Sequence, residues 1–184
     1  FADAHKLFES DAPPLAVDES DLPEIDEDDE GEDNEKRDIL GEMEISARMM
    51  ITGGDPKEDA ALSRADRAMI REALLMAARQ TLDENRQMLP SDLQNALNRI
   101  SSDEAADGGQ VRNESRRARA AEMAESLGMF TQSGSFEAEL FNREGSLWPE
   151  VDVTLIDLGH LAREGYEAQM ALTMVSLTNT INNI

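Results

Sequence analysis

Val151-Asp152-Val153-Thr154-Leu155-Ile156-Asp157-Leu158 is the stretch on which the fold assignment turns. It is rich in β-branched residues, and Trp148-Pro149 stands just before it. A short apolar run bounded by turn signals predicts a strand buried on both faces, as in a parallel sheet. Upstream, Phe136 to Phe141 carries apolar residues at alternating or near-alternating positions, and Asn142-Arg143-Glu144-Gly145 reads as a turn. That pattern predicts a second strand. Downstream, Arg163 to Ile184 predicts a helix with Met170, Met174, Leu177, Ile181 and Ile184 along one stripe. Ala171, Leu172 and Val175 widen the stripe, so this helix is expected to pack deep.

Ahead of these elements the period changes to that of helices. Ile39, Leu40, Met43, Ala47, Met50 and Ile51 recur at helical spacing between Lys36 and Ile51. Gly53-Gly54 and Asp55-Pro56 stop that segment. Ser63 and Asp66 form a capping box with Asp in place of Glu, opening a helix through Ile70, Leu74 and Ala77 to about Met88. Pro90-Ser91-Asp92 starts a short helix with Leu93, Ala96, Leu97 and Ile100 on one face. A fourth helix is expected from about Val111 to Leu127, stopping at Gly128. Four helices followed by strand, strand and helix describe an α/β fold, in which a mainly helical insertion leads back into a sheet. The expected division is an acidic, mobile segment over 1–35, an all-helical subdomain over 36–128 and a partial α/β core over 129–184.

Charge narrows the classes of function. Forty Asp and Glu face seventeen Lys and Arg in 184 residues, a formal charge of −23. Nucleic-acid backbones and anionic membranes bind through Lys and Arg, so neither is expected as a direct partner. Twelve of the acids lie between Asp18 and Glu35 without one base, a run too polar to offset its ordering entropy. Asp26, Asp28, Glu30 and Gly31 approach a calcium loop, but Arg37 stands where a bidentate Glu is needed, and a solvated acidic loop is expected instead. Pro13-Pro14 within residues 1 to 17 suits an irregular or extended start. With no cysteine there is no disulfide, thiolate zinc site or cysteine nucleophile. No apolar run is long enough for a transmembrane helix, and the chain reads as a piece of a longer protein.

No catalytic, cofactor-binding or metal-ligating residue is assigned. His5 and His160, the only histidines, have no second ligand at metal spacing. Ser133-Gly134-Ser135 lacks the spacing of a nucleophile elbow. Gly53-Gly54-Asp55-Pro56-Lys57 lacks the second glycine and the hydroxyl of a phosphate loop, and Asp55 opposes phosphate. Val153 to Asp157 resembles a strand that ends in a magnesium-holding Asp, but Leu158 replaces the Glu that often follows, and a structural reading is preferred. Arg112, Arg116 and Arg119 share one helix face and form the candidate interface. They could meet phosphate or an acidic partner, though pairing with Glu114, Glu122, Glu125 or the acidic loop is the preferred reading. The ten methionines lie mostly in the helical stripes, where they fill gaps.

Beyond these local readings, Asp38-Ile-Leu-Gly-Glu-Met-Glu44, Leu62-Ser-Arg-Ala-Asp-Arg67, Pro90-Ser-Asp92, Glu139-Leu-Phe-Asn142, Trp148-Pro149, Asp152-Val-Thr-Leu-Ile-Asp-Leu158 and Glu164-Gly-Tyr166 through Asn182-Asn183 occur in a telling order. In that order and spacing the chain resembles the conjugative transfer ATPases of integrative conjugative elements, the motors of type IV secretion systems. The resemblance covers most of the chain after residue 36. It implies a RecA-like P-loop ATPase core interrupted by a helical subdomain, with the Walker A loop before Phe1 and the Walker B strand after Ile184. Val153 to Leu158 then becomes a neighbouring core strand, which removes the magnesium role from Asp157.

The resemblance also implies a parent that uses ATP and Mg2+ for pilus biogenesis and for DNA and protein transfer. That parent is a hexamer in the bacterial cytoplasm, at the cytoplasmic face of the inner membrane, with other subunits and secretion components as partners. This chain then supplies scaffold and partner contacts without ATP or Mg2+ of its own. The acidic run maps to no role in that family. A second reading is a non-enzymatic acidic helical adaptor for a basic partner protein, which would not need the strand-strand-helix pattern after Glu139. A DNA mimic ranks last, because it needs carboxylates ordered at phosphate-like spacing.

Overall fold

A computed structural model of the chain describes residues 4–11, 38–102, 110–145 and 153–181, and leaves aside the side chains of 9–11, 110–113 and 179–180. The acidic run lies outside the described residues. A 3-10 helix spans Ala4–Asp11, where an irregular start was expected. The α-helices are α1 Ile39–Ile51, α2 Pro56–Ala61, α3 Arg64–Asp83, α4 Pro90–Ser102, α5 Gln110–Ser126, α6 Gly128–Thr131, α7 Phe136–Phe141 and α8 Glu167–Ile181.

The helix starts follow from short polar side chains that satisfy otherwise unpaired amides. Asp38 accepts from the Gly41 amide to open α1, and Asp55 accepts from the Lys57 amide to open α2. Ser63 and Asp66 exchange side-chain-to-backbone bonds in a complete capping box at α3. α3 ends earlier than its apolar pattern suggests, at Asp83. Asn85 there takes a positive φ of 51° and turns the chain toward α4.

α4 lies at the centre, packed against α3, α5 and α6, while α1 packs on α3 and receives α8. Ile70, Leu74, Leu93, Leu97, Met123, Leu127 and Phe130 are the largest enclosed apolar side chains. The pairs Ile70 and Leu74 on α3 and Leu93 and Leu97 on α4 are spaced at the helical period that places one stripe of each on a shared core, which Met123 of α5, Leu127, and Phe130 of α6 complete. Ala4 and Leu172 belong to this same core, so the first helix and α8 both dock on it.

The α/β expectation is overturned: among the described residues the chain is helical and has no strand. Phe136–Phe141 is α7, not a strand. Its alternating pattern also contains an i, i+3 pair, and Ala138 faces inward while Phe141 meets Phe130 with ring centroids 5.9 Å apart. Ser135 caps its first turn, Glu137 and Glu139 sit at the positive end of its dipole, and Glu, Ala and Leu favour helix. Residues 153–158 carry no regular secondary structure, and Val153 and Leu155 are 84% and 95% exposed. A strand needs a neighbour to satisfy its amides and carbonyls, and none is present among the described residues. No strand-strand-helix part of a RecA-like core is therefore present in the described chain. α8 does form, but Met174 and Ile181 are exposed, while Ala168, Gln169 and Leu172 are buried.

Candidate functional site

The basic cluster on α5 is the one site nominated from sequence, and its partners lie on α3, on α4 and on α5 itself. Arg116 Nη2 donates to Glu72 Oε2 at 2.6 Å. Arg119 donates through Nε to Asp66 Oδ1 at 3.3 Å and through Nη1 to Glu122 Oε2 at 2.9 Å. Arg117 Nε donates to the Ser101 carbonyl at 2.9 Å, near the C-terminal end of α4. Arg112 lies in α5, with its side chain outside the described residues. The structure thus brings Arg116 and Arg119 together, but turns both onto acids of their own bundle.

Those pairs leave a clear electrostatic signature. The Glu122 hydrogen bond, with the charge of Asp66 and despite partial burial, raises Arg119 above its ordinary value. Burial pushes Asp66 upward, yet the Ser63 amide and hydroxyl together with Arg119 outweigh it and hold the carboxyl below the usual range. Arg119 is therefore linked to the α3 cap, so α5 is fastened where α3 begins.

Two further ion-pair groups went unrecognised in the sequence. Glu44, buried on α1, accepts from Arg71 of α3 and lies 3.8 Å from Arg48 Nη1. Arg48 also donates to Asp59 Oδ1 at 2.8 Å. Arg86 clasps Asp92 through two bonds of 2.8 and 2.7 Å, and Asp92 also accepts from the Leu89 amide at 2.8 Å. The Asp92 bonds, assisted by Glu84, raise Arg86 further above its ordinary value. Only the i, i+4 spacing of Glu44 and Arg48 signalled any of this in advance.

Most of the other sequence candidates have structural partners. Ser135 accepts from the Ala138 amide and donates to the Met129 carbonyl. Gly54 takes φ +75°, and an added Cβ would lie 2.9 Å from the Ala168 side chain. The Gly53-Gly54 turn thus lets the start of α8 approach closely. Asp157, exposed, accepts from the Gly159 amide at 2.8 Å. His160 is exposed, and His5 Nε2 lies 3.4 Å from the Thr81 hydroxyl. A cavity of about 310 Å³ beside α3 and α4 is lined by Glu72, Met76, Arg99, Ile100 and Ser102.

The sequence has no phosphate loop, Glu72 beside the cavity already pairs with Arg116, and Asp157 accepts from the Gly159 amide in a local turn. Among the described residues no three acids or histidines converge as metal ligands, and no helix is long and apolar enough to cross a membrane. Comparison with protein-family models, curated proteins and solved structures gives no match for this chain.

Proposed function

We propose that this chain supplies scaffold and partner contacts to the ATP-driven motor of a conjugative type IV secretion system. On this reading the motor's ATP and Mg2+ are held elsewhere in the parent, and this chain carries no complete nucleotide site. The carrying observation is its uncovered apolar surface. Val153, Leu155 and Ile156 cluster within four exposed residues, and Met174 and Ile181 stand outward on α8. Clustered apolar surface of this kind is what a further part of an assembly covers. The sequence of motifs quoted between Asp38 and Asn183, in their order along the chain, is what points to the motor in this reading. Other motor subunits, in a hexamer at the cytoplasmic face of the bacterial inner membrane, and secretion components are the partners. The test is expression of the chain in donor cells that already carry such an element. Competition for the same contacts should lower transfer frequency about tenfold or more. An unchanged frequency, or ATP turnover by the purified 184-residue chain, would refute the reading.

A second reading is favoured by a different observation. All regular structure among the described residues is helical, and the net charge is −23, as suits an acidic helical adaptor for a basic protein. Such binding weakens steeply with salt, because exposed charges are screened beyond about 8 Å at physiological ionic strength. The two readings separate cleanly. An adaptor leaves transfer frequency unchanged and binds a lysine-rich probe protein in a salt-sensitive way, whereas contacts made by the exposed apolar residues persist in salt.

A further inference from the structure

α8, Glu167–Ile181, is apolar on two opposite faces, and the bundle covers one of them. Ala168, Gln169 and Leu172 are buried, with α1 as the neighbouring helix and Gln169 donating to Glu137 of α7 at 3.0 Å. With about 3.6 residues per turn, Met170, Met174, Leu177 and Ile181 fall on the side turned away from those three. Met174 and Ile181 are 50% and 59% exposed, and Met170 and Leu177 are half-buried. Their successive spacings of four, three and four residues make an a/d seam, the pattern that one helix presents to another. A strand or a small molecule asks for no such spacing.

Charge selects the occupant. No Asp, Glu, Lys, Arg or His occurs from Ala168 to Ile181, in a chain of which 31% is charged. In helix pairs the residues that flank the seam choose the partner through their charges. Here the flanking positions are Ala171, Thr173, Thr178 and Thr180, which neither attract a basic helix nor repel an identical one. The chain as a whole carries a net charge of −23, so two copies repel wherever their acidic surfaces meet. Antiparallel pairing of α8 avoids that contact. The buried residues of α8 lie in its first two turns, so the two bundles go to opposite ends of the seam. A helix of 15 residues is about 22 Å long, well beyond the screening distance of about 8 Å. The same arrangement is self-complementary, with Met170 opposite Ile181 and Met174 opposite Leu177 about a two-fold axis.

We propose that the outward face of α8 binds the α8 helix of a second copy of this chain, antiparallel, in a symmetric dimer. This narrows the preceding reading for one part of the exposed apolar surface, and rests on it only in taking that surface to be covered.

Sedimentation equilibrium of the purified chain from about 10 μM to about 1 mM tests this, since even a contact of millimolar strength shows at the upper end. A monomer–dimer equilibrium is expected. Added salt should strengthen it, because the seam is uncharged and the bundles repel. Met174→Glu puts a carboxylate on each side of the seam and should raise the dissociation constant about tenfold or more. Its helical circular dichroism should stay unchanged, because Met174 is half exposed. Ile181→Glu should act alike and serves if the first variant unfolds. The chain has no cysteine, so single nitroxide labels report the geometry. Labels at Thr178→Cys should lie close together in the dimer, and those at Glu167→Cys roughly 25 Å apart or more. A monomer throughout, a dimer untouched by both glutamates, or labels equally close at both positions would overturn the proposal. A monomeric chain that still lowers transfer in donor cells would leave the motor reading standing without this one. A dimer that leaves transfer unchanged would do the reverse.

Discussion

Leu93, Ala96, Leu97 and Ile100 on α4, and Val153, Leu155, Ile156 and Leu158 near the other end, are two sets of four apolar side chains with opposite fates. The first set is buried, whereas the first three of the second are exposed. Apolar composition alone therefore does not decide burial here. The α4 set recurs at helical spacing, so one face can be covered while every interior amide is paired within the helix. The second set is nearly continuous, and an extended run satisfies its backbone only through a neighbour. The helical region is self-sufficient in a way that residues 153–158 are not.

The strongest way to break that comparison is to open the core. Phe130 is fully enclosed and meets Phe141, so Phe130→Ala should cost about 3–5 kcal/mol, read as a shift of the urea midpoint. A loss below about 1 kcal/mol would mean that the bundle collapses around the hole and that its core is no better packed than the exposed run.

The Arg86–Asp92 clasp ranks next. Asp92 is 7% exposed and also holds the Leu89 amide, so Asp92→Ala strips the amide of its acceptor and leaves the Arg86 guanidinium with only Glu84 and the Gln87 carbonyl. Because Arg86 remains partly solvated, the expected cost is about 1.5–3 kcal/mol, short of a fully buried pair. Replacing both partners by apolar residues, Arg86→Met with Asp92→Leu, should recover part of that loss. If the double variant is as unstable as the single one, the Leu89 amide rather than the ion pair carries the effect.

At the α3 cap the expected effect is smaller and depends on pH. Ser63→Ala removes one capping acceptor and should cost about 1 kcal/mol. The Asp66 carboxyl lies lower in the folded chain than in the unfolded one, so its contribution is present above the unfolded value and is lost as pH falls through the folded value. The stability gap between the unmodified chain and Asp66→Asn should accordingly be open at pH 7 and close below about pH 4. A gap that widens on acidification would mean that burial dominates the site.

Much of this bundle can be read in the sequence because its signals are local. The Ser63 and Asp66 box, the stop at Gly53-Gly54 and the stripes of α1, α3 and α4 lie within a turn or two of the residues they organise. What could not be read depends on distance or on competing periods. Arg116 finds Glu72 and Arg119 finds Asp66 only once α5 folds back over α3, and no spacing rule reaches that far. In Phe136–Phe141 both periods fit six residues, and the decision falls to the Ser135 cap and to Phe130, which lies in a different helix. Val153 to Leu158 reads as a strand because its composition is a strand's, yet strand formation belongs to a pair of segments and cannot be decided by one.

The smallest expected effect is the sharpest test of the contrast. Leu155 is 95% exposed, so Leu155→Ser removes no buried surface and should change the stability of the chain by less than about 0.5 kcal/mol. The same change in Leu97, which is fully enclosed, should cost several kcal/mol, as other large-to-small core changes do. Where Leu155→Ser should act is on association. If the exposed run exists to be covered, the substitution should raise the concentration at which the chain self-associates or precipitates, while leaving the urea midpoint in place. A midpoint that drops with Leu155→Ser would mean that the run packs on the bundle in solution, and the division between a closed core and an uncovered segment would then fail.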